Sequence, residues 1–210
     1  MKPILYGAAY SVYVRAARLA LIEKGVDHDR VEVDIFAADG PPPDYLARHP
    51  FGRIPALQHG AMSLYETSAI VRYVDDAFPG PALQPRDPVH RARMNQTISV
   101  LDNYLYRPLV WGVYVARSEK GGACDEALVA AAAAKARHCL GVIERDLDRP
   151  FLAGDAITLA DLYAVPMLAY GLMTGEGRAM LAECPQLSAW WRRMKARPSV
   201  AESRFAGEAA

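Results

Sequence analysis

The sequence predicts an α/β domain at residues 1–78 and an all-helical domain at residues 89–210, joined by a linker at residues 79–88. Three observations carry this prediction. The first third alternates short apolar runs with helical patterns in the order β-α-β-α-β-β-α. The linker is rich in proline, which interrupts helices and central strands. After the linker every pattern is helical, including the consecutive alanines at 130–134, and alanine is the strongest helix former.

Each element of the first domain is predicted by its own local pattern. A helix at 11–23 has an apolar stripe and is followed by Lys24 and Gly25, a cation and a glycine typical of a helix C-terminus. Val31, Val33 and Ile35 alternate with acidic residues, which predicts a strand. The remaining predicted elements are strands at 4–6, 55–57 and 62–65, the last two joined by a turn at His59 and Gly60, and helices at 44–48 and 67–77.

The second domain is predicted to consist of helices at about 89–118, 125–146, 159–173 and 185–197. Gly121 and Gly122 are expected to break the helical pattern between the first and the second of them. Thr158 and Asp161 have the spacing of a capping box at the start of the third helix, with Asp161 where Glu is usual. We expect this box to support folding and assign it no part in function.

The composition argues against two classes of partner. Hydrophobic residues make up 52% of the 210 residues, and 24 basic residues balance 24 acidic ones. A protein dedicated to nucleic acid usually has a basic excess, so we expect no nucleic-acid partner. No apolar stretch approaches the roughly 20 residues that a membrane span needs, so we expect a soluble protein without membrane association.

The cysteines indicate the compartment. Cys124, Cys139 and Cys184 are odd in number and widely spaced, and they form no CxxC motif. This pattern is typical of reduced thiols in a cytoplasmic protein. The histidines are scattered and do not cluster with the cysteines, so we expect no metal site.

Two segments carry the most specific signal. Residues 49–57 read His-Pro-Phe-Gly-Arg-Ile-Pro-Ala-Leu, and residues 64–70 read Leu-Tyr-Glu-Thr-Ser-Ala-Ile. Together with the order of elements, they resemble the glutathione-binding half of the cytosolic glutathione S-transferases. The resemblance covers nearly the whole chain, including the linker and the helical domain. Within that family the chain looks like a bacterial member of the serine-type classes, which are theta-like, phi-like or zeta-like.

The resemblance implies a fold and an activity. It implies a thioredoxin-like α/β domain followed by an all-α domain, in a homodimer that serves detoxification. Glutathione would be the co-substrate, and its thiolate would attack a small hydrophobic electrophile without a metal. A serine-type enzyme leaves conjugation, glutathione-dependent isomerisation and dehalogenation open. The alternative class is a non-catalytic binding or interaction protein with the same fold.

The resemblance also implies which residues bind glutathione. In the family the proline matching Pro55 is cis, and the backbone of Ile54 would pair with the tripeptide like an added strand. Arg53 belongs to the same set. Glu66 and Thr67 would hold the γ-glutamyl end, one by its carboxylate, the other by its hydroxyl at a helix start. The alternative interpretations are a trans proline opening an edge strand and a plain helix cap.

Ser11 is the residue that the resemblance assigns to thiol activation. A hydroxyl at the start of a helix would donate a hydrogen bond to the sulfur and favour the thiolate, which is the nucleophile. Tyr6 and Tyr10 are the alternative candidates for thiol activation. Ser11 would then be an N-cap serine with no catalytic role. No cysteine lies in this segment, which argues against the classes that form a mixed disulfide.

The second substrate is expected in a cleft between the two domains. Tyr10 of the first domain and Tyr104 and Trp111 of the helix after the linker are the candidate lining residues. The other aromatic side chains are expected in the core or in dimer contacts.

Overall fold

The computed structural model describes residues 1–38, 40–118, 124–205 and 207–208. Contacts divide the chain into two compact units, the first formed by residues 1–84 and 198–207 and the second by residues 85–197 and 208–210. The domain limits drawn from the sequence stay a prediction. Gly121 and Gly122, the predicted break between two helices, lie outside the described residues.

The described part of the first unit contains a four-stranded sheet. Its strands are β1 (Ile4–Tyr6), β2 (Asp29–Val31), β3 (Ala56–His59) and β4 (Met62–Tyr65), and their order in the sheet is β2-β1-β3-β4. β1 is parallel to β2 and antiparallel to β3, and β3 is antiparallel to β4. Parallel neighbours need a long crossover connection, which helix α1 (Val12–Glu23) provides.

Two helices cover the sheet. α1 packs against α3 (Thr67–Ala77), and a short helix α2 (Pro43–Leu46) lies between β2 and β3 in the chain. The core side chains of the sheet and of the two long helices are fully buried, among them Leu5, Leu19, Leu57 and Ile70. The predicted thioredoxin-like order of elements is therefore confirmed.

The second strand is shorter than its sequence pattern predicts. The alternation predicts a strand through Ile35, but pairing ends at Val31. β1 is three residues long, and its last residue, Tyr6, is the partner of Val31. The residues after Val31 therefore have no strand beside them with which to pair. Of the three apolar residues in the alternation, Val33 is buried, whereas Val31 is 43% exposed and Ile35 is half-buried. The alternation therefore predicts neither the length of this strand nor a fully buried face.

Helix α10 (Pro198–Glu202) packs against α1 within the first unit. The guanidinium of Arg15, which is 1% exposed, donates to the Ser203 hydroxyl and the Val200 carbonyl, both at 3.2 Å. Ser199 donates a hydrogen bond to Glu23 at the other end of α1. A buried arginine therefore ties the carboxy-terminal segment to the first helix.

The described part of the second unit is helical. Its elements are α4 (Pro88–Val100), a π-helical segment (Leu101–Val115), α5 (Ala116–Ser118), α6 (Glu126–Asp146), α7 (Leu159–Leu172), α8 (Gly175–Ala182) and α9 (Pro185–Lys195). Nearly every residue of α7 is buried, so this helix forms the centre of the unit. The predicted fold class, an α/β unit followed in sequence by an all-helical one, is confirmed.

The π-helical segment departs from the single α-helix predicted at 89–118. Its backbone bonds include one from the Ala116 amide to the Trp111 carbonyl, five residues back. Pro108 lies inside the segment, where it has no amide hydrogen to donate, and such irregular turns are common around proline. Gly112 allows a close approach to α6, because a Cβ there would lie 2.5 Å from the Cβ of Ala132.

The predicted capping box is present at the start of α7. Asp161 accepts hydrogen bonds from the amide and the hydroxyl of Thr158, at 2.7 and 2.9 Å. The same carboxylate accepts from Leu152 at 2.9 Å and from the indole of Trp190 at 2.7 Å. Asp161 is fully buried, and burial raises the pKa of its carboxyl while these donors act to lower it. Within the second unit it joins α7 to α9.

Helix α8 was not predicted, because two glycines stand in its first turn. Thr174 caps it by accepting from the Gly177 amide at 3.0 Å. A Cβ at Gly177 would lie 1.9 Å from the Gly171 carbonyl oxygen. Only glycine fits this close contact, although glycine is a poor helix former. Across the described ranges, we find no helix long and apolar enough to cross a membrane.

Candidate active site

Three of the predicted site segments meet at one edge of the sheet. Ala56 pairs with both Tyr6 and Tyr65, so these three residues form one row across β1, β3 and β4. β1 ends in this row and leads on to Ser11. β3 begins in it directly after Pro55, and β4 ends in it directly before Glu66. Residues far apart in sequence therefore converge on this edge.

Ser11 is the N-cap of α1. Its backbone is extended (φ −72°, ψ 127°), and its hydroxyl oxygen accepts from the Val14 amide at 3.3 Å. A hydroxyl that accepts one hydrogen bond still has its own hydrogen to donate. The cap geometry and a role as a donor to a sulfur atom are therefore compatible.

The two rival tyrosines already donate their phenolic hydrogens to other groups. Tyr6 donates to the side-chain carbonyl of Gln58 at 3.0 Å. Tyr10 donates to the Asp34 carboxylate at 3.0 Å, and burial together with this carboxylate raises the pKa of Tyr10 to about 12. A phenol engaged in this way is a poor donor to a thiolate.

The Ile54–Pro55 peptide bond is cis, as the resemblance implies. Both residues are buried, whereas the Arg53 side chain before them is exposed. The Tyr45 hydroxyl donates to the Arg53 carbonyl at 2.6 Å and fixes the chain just before the cis bond. This hydrogen bond anchors the loop that carries this part of the site.

Glu66 has a backbone conformation that side chains rarely adopt. Its φ is +70° and its ψ 115°, at the junction of β4 and α3. A non-glycine residue in such a region costs about 1–3 kcal/mol and is often found at functional sites. Its carbonyl accepts from the Ala69 and Ile70 amides, both at 3.0 Å, and its carboxylate is exposed.

The start of α3 is suited to binding an anion. Thr67 is its first residue and is buried. Among the described residues, the Glu66 side chain makes no capping hydrogen bond, and the first turn holds no acidic residue. The amide groups of a helix start lack partners within the helix and carry a partial positive charge.

His49 is a buried residue of this region that the sequence does not mark as functional. It is 2% exposed, and its Nδ1 is buried without a hydrogen-bond partner in the described part of the chain. Its ring lies 5.0 Å from the Tyr65 ring and 6.3 Å from the Phe51 ring, centroid to centroid. Burial lowers the pKa of His49, and the carboxylate of Glu66 acts to raise it. His49 stands in the recognised motif, but nothing in the sequence signals its burial.

The candidate residues for the second substrate are divided between the two units. Tyr10 is in the first unit, where its ring stacks on that of Phe36 at 6.3 Å. Tyr104 and Trp111 are in the second unit, 64% and 39% exposed. The Trp111 indole donates to the Tyr106 hydroxyl at 2.9 Å. A shared cleft lined by these residues stays a prediction.

Within the residues that the structure describes, no cluster of three or more His, Cys, Asp or Glu side chains could hold a metal ion.

Known proteins are similar to this chain over nearly its whole length. Residues 5–82 match the sequence model for the glutathione S-transferase N-terminal domain, and residues 101–198 match that for the C-terminal domain. Glutathione S-transferase 3 of Zea mays is 35% identical over 206 residues, covering 95% of this chain and 92% of the maize protein.

Solved structures are similar over the same length. Glutathione transferase F7 from Populus trichocarpa has a TM-score of 0.85 at 30% identity, covering 97% of this chain and all of the poplar chain. A glutathione S-transferase-I structure with bound lactoylglutathione also has a TM-score of 0.85, at 31% identity, covering 97% of this chain and 98% of that chain. The order of elements and these matches together define the class of protein, which is the glutathione transferases. The chain belongs to the glutathione S-transferase family. The bacterial source expected from the sequence stays a prediction.

Proposed function

We propose that the protein is a serine-type glutathione transferase that activates the thiol of glutathione for attack on a hydrophobic electrophile. The observation that carries this proposal is that the segments leading to Ser11, from Ile54 and to Glu66 meet the sheet at one row, formed by Tyr6, Ala56 and Tyr65. Family membership supports glutathione conjugation in general. Conjugation, isomerisation and dehalogenation all use the same thiolate, so the proposal covers the shared step.

The γ-glutamyl end of glutathione would be held at the junction of β4 and α3. It carries an α-ammonium group and an α-carboxylate. The exposed Glu66 carboxylate would accept from the ammonium group, while the Thr67 hydroxyl and the amides of the first helical turn would donate to the carboxylate. Opposite charges at a fixed spacing would thus orient the tripeptide.

The cysteinyl residue would extend along Ile54, whose backbone would pair with it like an added strand. Arg53 would contribute a positive side chain beside this strand. The turn before α1 lies close to Ile54, because a Cβ added at Gly7 would lie 3.1 Å from the Cβ of Ile54 and 2.4 Å from a methyl carbon of Val14. The sulfur of a tripeptide paired with Ile54 would therefore lie near the start of α1.

Ser11 would stabilise the thiolate and would not itself be a nucleophile. Its hydroxyl would donate to the sulfur, and the partial positive charge at the start of α1 would favour the anion. The thiol proton would leave to solvent, and the sulfur would form a bond to an electrophilic carbon. That carbon would either release its leaving group with the bonding electron pair or, if unsaturated, pass the electron pair of its double bond to the neighbouring atom, which then takes a proton from water. The engagement of the Tyr6 and Tyr10 hydroxyls with Gln58 and Asp34 supports Ser11 over its rivals.

Calorimetric titration of glutathione tests the binding step. We expect saturable binding that is lost in a variant with Glu66→Gln and Thr67→Val and retained in the surface control Glu183→Gln. Ser11→Ala should lower kcat/KM with a generic electrophile about 10- to 100-fold, the worth of a hydrogen bond to a charged group. Ser99→Ala, at an exposed serine of α4, is the matched control. Absence of glutathione binding by the wild type would favour the non-catalytic interaction protein instead.

We also propose a cytoplasmic homodimer that serves detoxification. The support is the family resemblance together with the free cysteines, of which Cys139 and Cys184 are buried. Analytical ultracentrifugation at micromolar concentration tests the dimer, and a sedimenting mass of a single 23.0 kDa chain would contradict it.

A further inference from the structure

The recognised motif contains a buried histidine that the proposed mechanism does not use. His49 follows α2 and lies among the rings of Tyr45, Phe51 and Tyr65, at centroid distances of 6.5, 6.3 and 5.0 Å. Its amide donates to the Tyr45 carbonyl at 3.0 Å, which fixes the backbone. The imidazole is thus enclosed by aromatic groups with little access to water.

This enclosure joins His49 to both sides of the proposed glutathione site. Tyr45 donates to the Arg53 carbonyl at 2.6 Å, directly before the cis bond. Tyr65 precedes Glu66, the residue with the left-handed backbone. The imidazole therefore lies against one residue that is hydrogen-bonded to the loop and against another that directly precedes the acidic cap.

The charged groups that act on the imidazole are those assigned to glutathione. The Glu66 carboxylate favours the protonated ring, and the Arg53 guanidinium opposes it. The tyrosines packed against the ring are phenols, which carry no charge at acidic pH. Burial of an uncompensated cation is costly, so the imidazole is neutral at neutral pH.

We propose that His49 is a positioning residue of the glutathione site and that its ring must be uncharged for Glu66 to hold the α-ammonium group of glutathione. An imidazolium at this position would attract the Glu66 carboxylate and compete with the ligand's ammonium for it. The inference deepens the proposed function and rests on it.

The main experiment is calorimetric titration of glutathione at pH 5.0 and pH 7.5 with the wild type, His49→Asn and His28→Asn. We expect wild-type affinity to be lower at pH 5.0 than at pH 7.5. The fall should grow with the protonated fraction of His49 and reach about 5-fold or more at full protonation, the range of ordinary coupling between two sites. His49→Asn should lose this dependence, while His28→Asn, changed at another histidine of the first unit, should keep it. Ionisation of glutathione itself is common to all three proteins and cancels in the comparison.

A second arm uses the chemistry of the ligand. N-acetylglutathione lacks the α-ammonium group, so the difference in pH dependence between wild type and His49→Asn should vanish for it. An equal difference with both ligands would overturn the proposed competition for Glu66.

A third arm needs no variant and decides the matter where His49→Asn fails to fold. Coupling is reciprocal, so glutathione must lower the pKa of His49 by the logarithm of the same factor, about 0.7 pH unit for a 5-fold effect. Titration of the imidazole by NMR, with and without saturating glutathione, measures this shift. An unchanged or raised pKa would overturn the inference although glutathione binds. Lack of binding at any pH would instead refute the proposed function.

Discussion

Gly7 and Ile54 approach so closely that a Cβ on Gly7 would lie 3.1 Å from the Cβ of Ile54. The same added atom would lie 2.4 Å from a methyl carbon of Val14 in the first turn of α1. Gly7 also has φ +146°, a conformation that L-residues rarely adopt. The turn that leads to Ser11 is therefore pressed against the loop before the cis proline.

We predict that Gly7→Ala destabilises the protein by at least about 2 kcal/mol and weakens glutathione binding. The added methyl combines backbone strain with overpacking between α1 and the loop. Urea unfolding and calorimetry measure the two effects. Gly25→Ala is the matched control, because Gly25 has φ +67° but no atom within 4 Å of the added Cβ. It should cost about 1 kcal/mol. Equal costs at both glycines would refute the crowding argument.

The choice between serine and tyrosine can be tested by the thiol pKa of bound glutathione. Ser11→Ala should raise this pKa by about 1–2 units, because each unit corresponds to about 1.4 kcal/mol of lost stabilisation of the anion. Tyr6→Phe and Tyr10→Phe should leave it within about 0.3 unit, since both hydroxyls donate elsewhere. Ultraviolet absorbance of the thiolate against pH gives the values. A shift with either tyrosine variant and none with Ser11→Ala would reverse the assignment.

Removal of the Asp161 carboxylate should severely destabilise the second unit. The Asp161→Ala variant would leave buried donors from Leu152, Thr158 and Trp190 without their acceptor. We expect a loss of about 3–5 kcal/mol in the free energy of unfolding, measured with urea. Asp155→Ala, which breaks an exposed pair with Arg149, should cost less than about 1 kcal/mol. Comparable losses would show that the buried network is dispensable.

Lys24 and Asp75 form a buried ion pair whose loss should also be costly. Their side chains are 3% and 6% exposed and lie 3.0 Å apart, and Asp75 also accepts from the Leu83 and Gln84 amides. Lys24→Met would leave a buried carboxylate without its cation, which should cost about 3–5 kcal/mol in chemical denaturation. Lys2→Met, at an exposed pair, should change stability by at most about 1 kcal/mol. A small effect at both lysines would contradict the burial argument.

The lowered pKa of His49 makes stability depend on pH in a definite direction. Because the folded state holds the imidazole neutral, the unfolded chain binds more protons once the pH falls below the ordinary value of 6.5. Stability is therefore unaffected by the ionisation of His49 above pH 6.5. It falls as the pH decreases from 6.5 toward the pKa that His49 has in the folded state. Urea unfolding of the wild type and His49→Asn at pH 7.5 and 5.0 measures it. The wild type should lose more stability than the variant, and parallel losses would contradict the prediction.

The order of elements and the capping positions could be read from the sequence because they depend on local patterns. Ser11 as a helix cap and the Thr158–Asp161 box both follow from residue type and spacing, and both are present. The limits of β2 depend on the length of β1, which alternation does not report. α8 depends on close packing at Gly177 and runs against local propensity.

Part of the candidate site was equally accessible to the sequence. The segments around Pro55 and Glu66 carry a specific motif, and the sheet register brings them to one edge. The burial of His49 and the left-handed backbone of Glu66 arise from tertiary packing. No short window of sequence encodes either of them.

The hydrogen bond between Arg15 and Ser203 spans 188 positions of the chain. At synthesis rates of about 5–20 residues per second, Arg15 is added to the chain roughly 10–40 s before Ser203. Throughout that interval α1 must form without the carboxy-terminal contacts that it has in the finished protein. The first unit is thus completed only after the helical unit has been made, although most of its own residues come first.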